Sequence, residues 1–157
     1  MLKLLIATLA SLCAFTLFAH AESFTSTSGI ADLGGGKYLL VDDTKDQPEL
    51  ASRPRLRVAT LVPGGTVVQD VFEDWGSNAL PNDLEAVAPL PGQSGHFLVA
   101  ESGYFGEKYG RIFHITVEPK GDGWASLVVG TAQLPIWLLG GVEGIAVGAK
   151  PDGGLTL

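Results

Sequence analysis

The chain has 157 residues, a formal net charge of −7 and a hydrophobic fraction of 46%. This content is enough to bury the core of one domain, and 21 glycines with 9 prolines are too few for a disordered or low-complexity protein. The excess of carboxylates repels phosphate groups, so we expect neither nucleic acid nor an anionic membrane surface as a partner.

The N-terminus has the features of an export signal. Lys3 precedes an apolar run from Leu4 to Phe18, and Ala19-His20-Ala21 supplies the small residues after which a signal peptidase cleaves. We therefore predict that residues 1–21 are removed and that residues 22–157 form one exported domain. The sequence thus predicts a periplasmic or secreted protein.

The mature chain is predicted to contain no transmembrane span. Pro135, two glycines and Glu143 interrupt its longest apolar stretch, residues 134–147. Cys13, the single cysteine, lies inside the signal, so the mature domain has no disulfide and no cysteine-ligated metal. An uncleaved membrane anchor and a lipidated Cys13 are the two alternatives to a cleaved signal.

The rest of the chain alternates short runs of Val, Leu, Ile and Thr with clusters of Gly and Pro. No window sustains a helical apolar period over three turns, so the pattern predicts an all-β domain. Tight glycine-containing turns alternate with longer connections. In chain order, the predicted strands are 28–33, 37–42, 55–62, 66–73, 83–90, 95–101, 110–117, 124–132, 142–148 and 153–157.

An internal sequence repeat follows the same alternation of tight turns and longer connections. Gly29-Ile30-Ala31, Ala86-Val87-Ala88 and Gly144-Ile145-Ala146 recur, with their central residues 57 and 58 positions apart. A repeat of four short strands is typical of β-propeller blades. The sequence therefore predicts four-stranded antiparallel meanders: two blades, at about 28–73 and 83–132, and half of a third. Because a propeller has at least four blades, we expect a longer chain to supply the remaining ones.

Polar side chains collect at one end of the predicted meanders. Each strand reverses direction, so the longer connections all share that end, where a binding surface has room to form. Carboxylates that converge there offer the hard oxygen ligands that Ca²⁺ or Mg²⁺ requires. We predict a Ca²⁺ site formed by Glu85, Glu143 and Asp83, which open first strands. The alternative is that these acidic residues only cap strand ends.

The same end holds the candidate ligand-binding residues. Tyr104 and Tyr109 would stack on a sugar or inositol ring, or would instead pack over their own blade. Small-molecule or phosphorylated substrates are therefore the expected ligands. The full candidate set is Asp42, Asp43, Tyr104, Tyr109 and Arg111.

Catalytic candidates are fewer. Glu101 and Ser102 close a second strand and Arg111 opens a third, so all three would face the same surface. Ser102 would be the nucleophile and Arg111 would lie near an anion, but the sequence offers Ser102 no positioned base. His96 and His114 lack the spacing of a metal-binding pair and are interpreted as structural.

The same residues carry a resemblance to a known family. Asn82-Asp83-Leu84-Glu85-Ala86-Val87-Ala88, Phe97-Leu98-Val99-Ala100-Glu101-Ser102 and Gly110-Arg111-Ile112-Phe113 resemble the phytase-like β-propeller proteins called "esterase-like activity of phytase". Gly141-Val142-Glu143-Gly144-Ile145-Ala146 repeats the first element, whereas Ser28 replaces its glutamate in the first blade. The resemblance implies an exported propeller that is a metal-dependent phosphoesterase or esterase. The alternative is a non-catalytic propeller that binds a ligand or another envelope protein.

Overall fold

A computed structural model describes residues 26–45, 47, 52–102, 110–134 and 142–157. The described residues form strands and no helix, which confirms the predicted all-β class. Within them, no helix is long and apolar enough to cross a membrane. The predicted signal at 1–21 lies outside the described residues.

Ten strands are present in the described part of the chain. The first eight agree with the predicted strands to within three residues at each end. They are β1 (Thr27–Gly34), β2 (Lys37–Asp42), β3 (Leu56–Val62), β4 (Gly65–Asp74), β5 (Leu84–Pro89), β6 (His96–Glu101), β7 (Arg111–Lys120), β8 (Gly123–Gln133), β9 (Gly148–Ala149) and β10 (Leu155–Thr156).

The first eight strands form one sheet in the order β1-β2-β3-β4-β8-β7-β6-β5. It consists of two antiparallel four-stranded meanders, β1–β4 and β5–β8, as the repeat predicts. The last strands of the two meanders, β4 and β8, pair in parallel from Val71↔Trp124 to Asp74↔Leu127. The first strands, β1 and β5, lie against each other at the other end of the order, so the sheet is nearly closed.

This closure differs from the predicted arrangement of two and a half propeller blades. Propeller blades are separate sheets arranged around a central channel, whereas here the β4–β8 pair joins both meanders into one sheet. Each meander has one apolar face, and the described residues offer that face only the other meander as a cover, so the two pack on each other. The blade count is therefore not confirmed.

The ninth predicted strand, 142–148, is wrong. Residues 142–147 have no regular structure, and only Gly148–Ala149 pairs, with Leu155–Thr156. The segment contains Gly144 and Gly148, which contribute no side chain to packing and weaken a strand. Ile145 thus does not occupy a strand position equivalent to Ile30 and Val87.

The hydrophobic core lies between the two meanders, where strands alternate inward apolar and outward residues. Trp75, just after β4, meets Phe113 edge to face with ring centroids 5.1 Å apart and planes at 73°. The most buried side chains come from five strands of both meanders. They are Leu39, Val41, Leu56, Val58, Leu84, Phe97, Val99, Phe113 and Ile115.

Small residues allow the first strands of the two meanders to approach closely. A Cβ added at Gly29 in β1 would lie 2.8 Å from Val41 Cγ2, 3.2 Å from the Val87 nitrogen and 3.3 Å from the Ala86 Cα. Backbone atoms cannot move aside as a flexible side chain can. The recurring small residue at 29 and 86 therefore belongs to the seam where the sheet closes.

This seam gives a first prediction. Gly29→Ala should lower the free energy of unfolding by about 1–3 kcal/mol, because the new methyl group overpacks the contact between β1 and β5. Gly130→Ala in β8 is the matched control, since a Cβ at Gly130 meets no atom within 4 Å. Urea unfolding of both variants measures the difference. Equal stability of the two variants would contradict the tight seam.

Candidate metal centre

The candidate metal centre lies where the end of β2 meets the start of β5. Asp43 directly follows β2 and Asp83 directly precedes β5, and the two residues form an isolated antiparallel bridge. The Thr44 nitrogen and hydroxyl both donate to the Asn82 carbonyl, at 3.3 and 3.1 Å. The Ser102 nitrogen donates to the Asp83 carbonyl at 2.8 Å. These bonds fix the backbone that carries the acidic side chains.

Glu85 reaches the same place through a β-bulge. The register between β5 and β6 shifts between Leu84 and Ala86, so Glu85 is the extra residue. Such bulges re-aim a side chain relative to the regular pleat. In β1 the corresponding shift lies between Thr27 and Gly29, which makes Ser28 the equivalent bulge residue. The structure therefore agrees with the internal sequence repeat, in which Ser28 of the first meander corresponds to Glu85 of the second.

Three carboxylates converge at this centre. One oxygen each from Asp43, Asp83 and Glu85 lies within 4.8 Å of the other two. A Ca²⁺ ion has oxygen ligands at about 2.3–2.6 Å, so opposite ligands are roughly 5 Å apart and one ion could contact all three side chains. The donor set and its spacing therefore fit a hard divalent cation.

Asp83 is the unusual member of the cluster. Its side chain is 1% exposed, and within the described residues neither of its oxygens accepts a well-aligned hydrogen bond. Its one compensating contact there is an ion pair, with the Lys45 ammonium 3.0 Å from Oδ2. A buried carboxylate needs both a counter-charge and hydrogen bonds to offset its lost hydration. Asp83 has the first at Oδ2, whereas its Oδ1 has no hydrogen-bond partner within the described residues.

The crowded charges shift the pKa values of the cluster. The pKa of Glu85 is raised to about 7, and loss of hydration is the largest cause. A hydrogen-bonding contact with Asp83 comes next, followed by repulsion from the charges of Asp83, Asp43 and Glu143. Burial is also the main cause that raises the pKa of Asp43, against a hydrogen bond from the Lys45 nitrogen. Contact with Asp83 raises the pKa of Lys45. The centre thus holds more negative charge than its single ammonium balances.

The predicted ligand set is brought together in part. Asp83 and Glu85 join the cluster, and Asp43, which was predicted as a ligand-binding residue, is its third member. Glu143 is exposed and lies outside the cluster, although its charge still acts on Glu85. Lys45 was missed by the sequence analysis. Its position two residues after Asp43, in the long connection that faces this end, is the signal that could have identified it.

Glu101 and Arg111 form a buried ion pair beside the centre. Arg111 Nε donates to Glu101 Oε2 at 2.7 Å and its Nη2 donates to Oε1 at 2.9 Å, while the Asn82 nitrogen also donates to Oε1 at 2.9 Å. Arg111 Nη1 donates to the Ala79 carbonyl, and its guanidinium lies 4.9 Å from the Phe113 ring centre. Both groups therefore hold the segment before β5 in place, and their catalytic assignment stays a prediction.

Asp42 has a similar structural partner in the first meander. Arg57 Nε donates to Asp42 Oδ2 at 2.5 Å, its Nη2 donates to Oδ1 at 2.6 Å, and the Thr27 hydroxyl donates to Oδ1 at 2.9 Å. Asp42 is buried and is not one of the three clustered carboxylates. Its predicted role in ligand binding is therefore less well supported than that of Asp43.

The remaining candidates are Ser102 and two tyrosines. Ser102 is 5% exposed, and its backbone supports Asp83. Tyr104 and Tyr109 lie outside the described residues.

Comparison with protein-family models, with curated proteins and with solved structures gave no match to this chain. The resemblance to phytase-like propellers therefore stays a prediction.

The crowded cluster gives a second prediction. In chelator, Glu85→Gln should raise the melting temperature at pH 8, because the variant removes a charge that Asp83 and Asp43 repel. The gain should shrink by pH 5.5, where the raised pKa of about 7 leaves Glu85 protonated. The folded state keeps a proton that the unfolded state releases between pH 4.5 and 7, so wild-type stability falls as the pH rises through that window.

Thermal unfolding from pH 5 to 8 measures this dependence. Glu118→Gln is the matched control, because Glu118 is an exposed glutamate near the far end of β7. The same pH dependence in the wild type and Glu85→Gln would show that Glu85 is not electrostatically crowded.

Proposed function

We propose that this domain is an exported module that binds Ca²⁺ through Asp43, Asp83 and Glu85 and presents the bound ion to a ligand or to another protein. The observation that carries the proposal is the buried Asp83 carboxylate, which lacks aligned hydrogen bonds beside two further carboxylates. A bound metal ion would coordinate the carboxylate oxygens that hydrogen bonds leave unoccupied. Oxygen-only donors favour Ca²⁺ over transition metals.

Three side chains alone would not complete the coordination shell of Ca²⁺, and the free positions could bind a ligand. Ca²⁺ takes 6–8 oxygen ligands, and the partly exposed Asp43 and Glu85 leave the outer side of the cluster open to solvent. Water, a phosphate oxygen or a carboxylate from a partner can complete the shell there. Anionic groups are therefore the expected ligands of the loaded domain.

The third prediction tests the ion directly. At about 100 times its dissociation constant, Ca²⁺ should stabilise the folded state by roughly 2.7 kcal/mol, which raises the melting temperature by about 5–10 °C. Asp83→Asn and Glu85→Gln should each remove most of this shift. Calorimetric titration of the same proteins with Ca²⁺ measures the binding itself.

Glu143→Gln is the informative comparison for this experiment. The structure leaves Glu143 outside the cluster, so the variant should keep most of the Ca²⁺ shift. Loss of the shift in Glu143→Gln with retention in Glu85→Gln would contradict the proposed ligand set. A wild-type protein that neither binds Ca²⁺ nor melts at a higher temperature with it would overturn the metal site as a whole.

Metal-dependent hydrolysis is the second candidate function, and the open side of the cluster favours it. A bound cation polarises a phosphoryl or acyl oxygen and lowers the pKa of a bound water. Arg111 was predicted to assist at the anion, but its guanidinium is engaged by Glu101. This candidate therefore depends on the cation and the carboxylates alone.

A fourth prediction separates the two candidates. A hydrolase would release nitrophenol from p-nitrophenyl phosphate or p-nitrophenyl acetate with Ca²⁺ present, and chelator or Asp83→Asn would abolish the release. We expect the binding module instead: Ca²⁺-dependent stabilisation without turnover above buffer. Ca²⁺-dependent turnover that Asp83→Asn abolishes would make the hydrolase the better assignment.

A further inference from the structure

A second pair of metal-ligating side chains lies on the outer face of the β5–β8 meander. His96 opens β6, and His114 lies in β7 opposite Leu98, so the two rings are diagonal neighbours on one face. His96 Nδ1 and His114 Nε2 are 2.9 Å apart, with ring centroids 5.2 Å apart and planes at 44°. The intervening Phe97 and the neighbouring Phe113 point into the core on the opposite face.

The surroundings of His114 favour a neutral ring. Burial, followed by the charge of His96, lowers the pKa of His114. Within the described residues, no carboxylate or ammonium contributes to that shift, so nothing there holds the His114 imidazole in its protonated form. Neutral imidazole is the form that ligates metals, and both rings are only partly buried on a face that solvent reaches.

We propose that His96 and His114 together chelate one divalent transition ion of the Ni²⁺, Cu²⁺ or Zn²⁺ class. Each neutral ring can carry its single proton on the nitrogen that faces away, which leaves a lone pair on each of the two facing nitrogens. Imidazole ligands suit these ions and are poor ligands for Ca²⁺.

The geometry needs only a small adjustment. Metal–nitrogen bonds of about 2.0–2.1 Å at a tetrahedral angle set the two nitrogens roughly 3.3 Å apart, compared with 2.9 Å here. Small side-chain rotations on two hydrogen-bonded strands supply the difference without moving the backbone. Water or a ligand from outside completes the coordination on the exposed side.

The pair is separate from the carboxylate cluster. His96 lies beside the Pro89 end of β5, since Pro89 pairs with Phe97, whereas Glu85 lies at the opposite end of that strand, next to Glu101. The two sites also differ in donor chemistry, nitrogen against oxygen. The proposal therefore does not depend on the Ca²⁺ site, and each can fail without the other.

The fifth prediction is tested by calorimetric titration of the full chain with NiCl₂ at pH 7.5. His96→Gln and His114→Gln should each weaken binding by about tenfold or more, because even loss of an outer partner of a ligand costs roughly 10–100-fold. A chain that begins at residue 22 lacks His20, the third histidine, and should bind Ni²⁺ with the same affinity. Glu85→Gln should also leave Ni²⁺ binding unchanged while it removes the Ca²⁺ response.

Two further measurements use the wild-type protein and do not depend on the folding of a variant. With one equivalent of Cu²⁺, electron paramagnetic resonance should show coupling to two imidazole nitrogens. Binding of Ni²⁺ should weaken at pH 5.5, where the rings compete for protons. The proposal would be overturned by absence of Ni²⁺ binding or by unchanged affinity in both histidine variants. Loss of binding in the chain that begins at residue 22, or a copper spectrum without nitrogen coupling, would overturn it too.

Discussion

Mutual burial of two apolar faces is the constraint on which the rest of this structure depends. Each four-stranded meander has one face of Leu, Val, Ile and Phe side chains, and in the described part of the chain each face is covered by the other. Burial of one such side chain contributes about 1.5–3 kcal/mol, so Phe97 and Phe113 together contribute roughly 3–6 kcal/mol to this contact. The two meanders also meet at both edges of this contact: β4 pairs in parallel with β8, and β1 lies close to β5.

The same contact determines which charges become buried and which partners they meet. Asp42 and Glu101 occupy corresponding positions at the ends of β2 and β6, and each meets an arginine of its own meander in a two-bond contact. Asp83 lies instead at the junction between meanders, where no arginine reaches it among the described residues. Asp42 and Glu101 thus have both a counter-charge and hydrogen bonds, as buried carboxylates need, whereas Asp83 at the junction meets this requirement only in part.

Sequence periodicity was sufficient for the local structure of the two meanders, but it wrongly predicted a strand at 142–148. Glycine-marked turns and alternating apolar residues located eight strands, and the 57-residue repeat identified both meanders and the equivalence of Ser28 with Glu85. Closure of the meanders on each other depends on pairing between β4 and β8, which no local pattern encodes. For the same reason Asp83 and Glu85 could be predicted as neighbours, whereas their contact with Asp43, 40 residues away from Asp83, could not. The facing of His96 and His114 likewise depends on strand register.

The ammonium of Lys45 changes what occupation of the carboxylate cluster means. The Lys45 ammonium already neutralises part of the charge on Asp83. A metal ion that binds Asp83 would therefore have to displace this ammonium. A monovalent ion offers little advantage over a tethered ammonium of equal charge, whereas a divalent ion brings one more unit of charge to three carboxylates. At the proposed site, Lys45 would therefore favour a divalent ion over a monovalent one, and without a metal ion its ammonium would remain the counter-ion of Asp83.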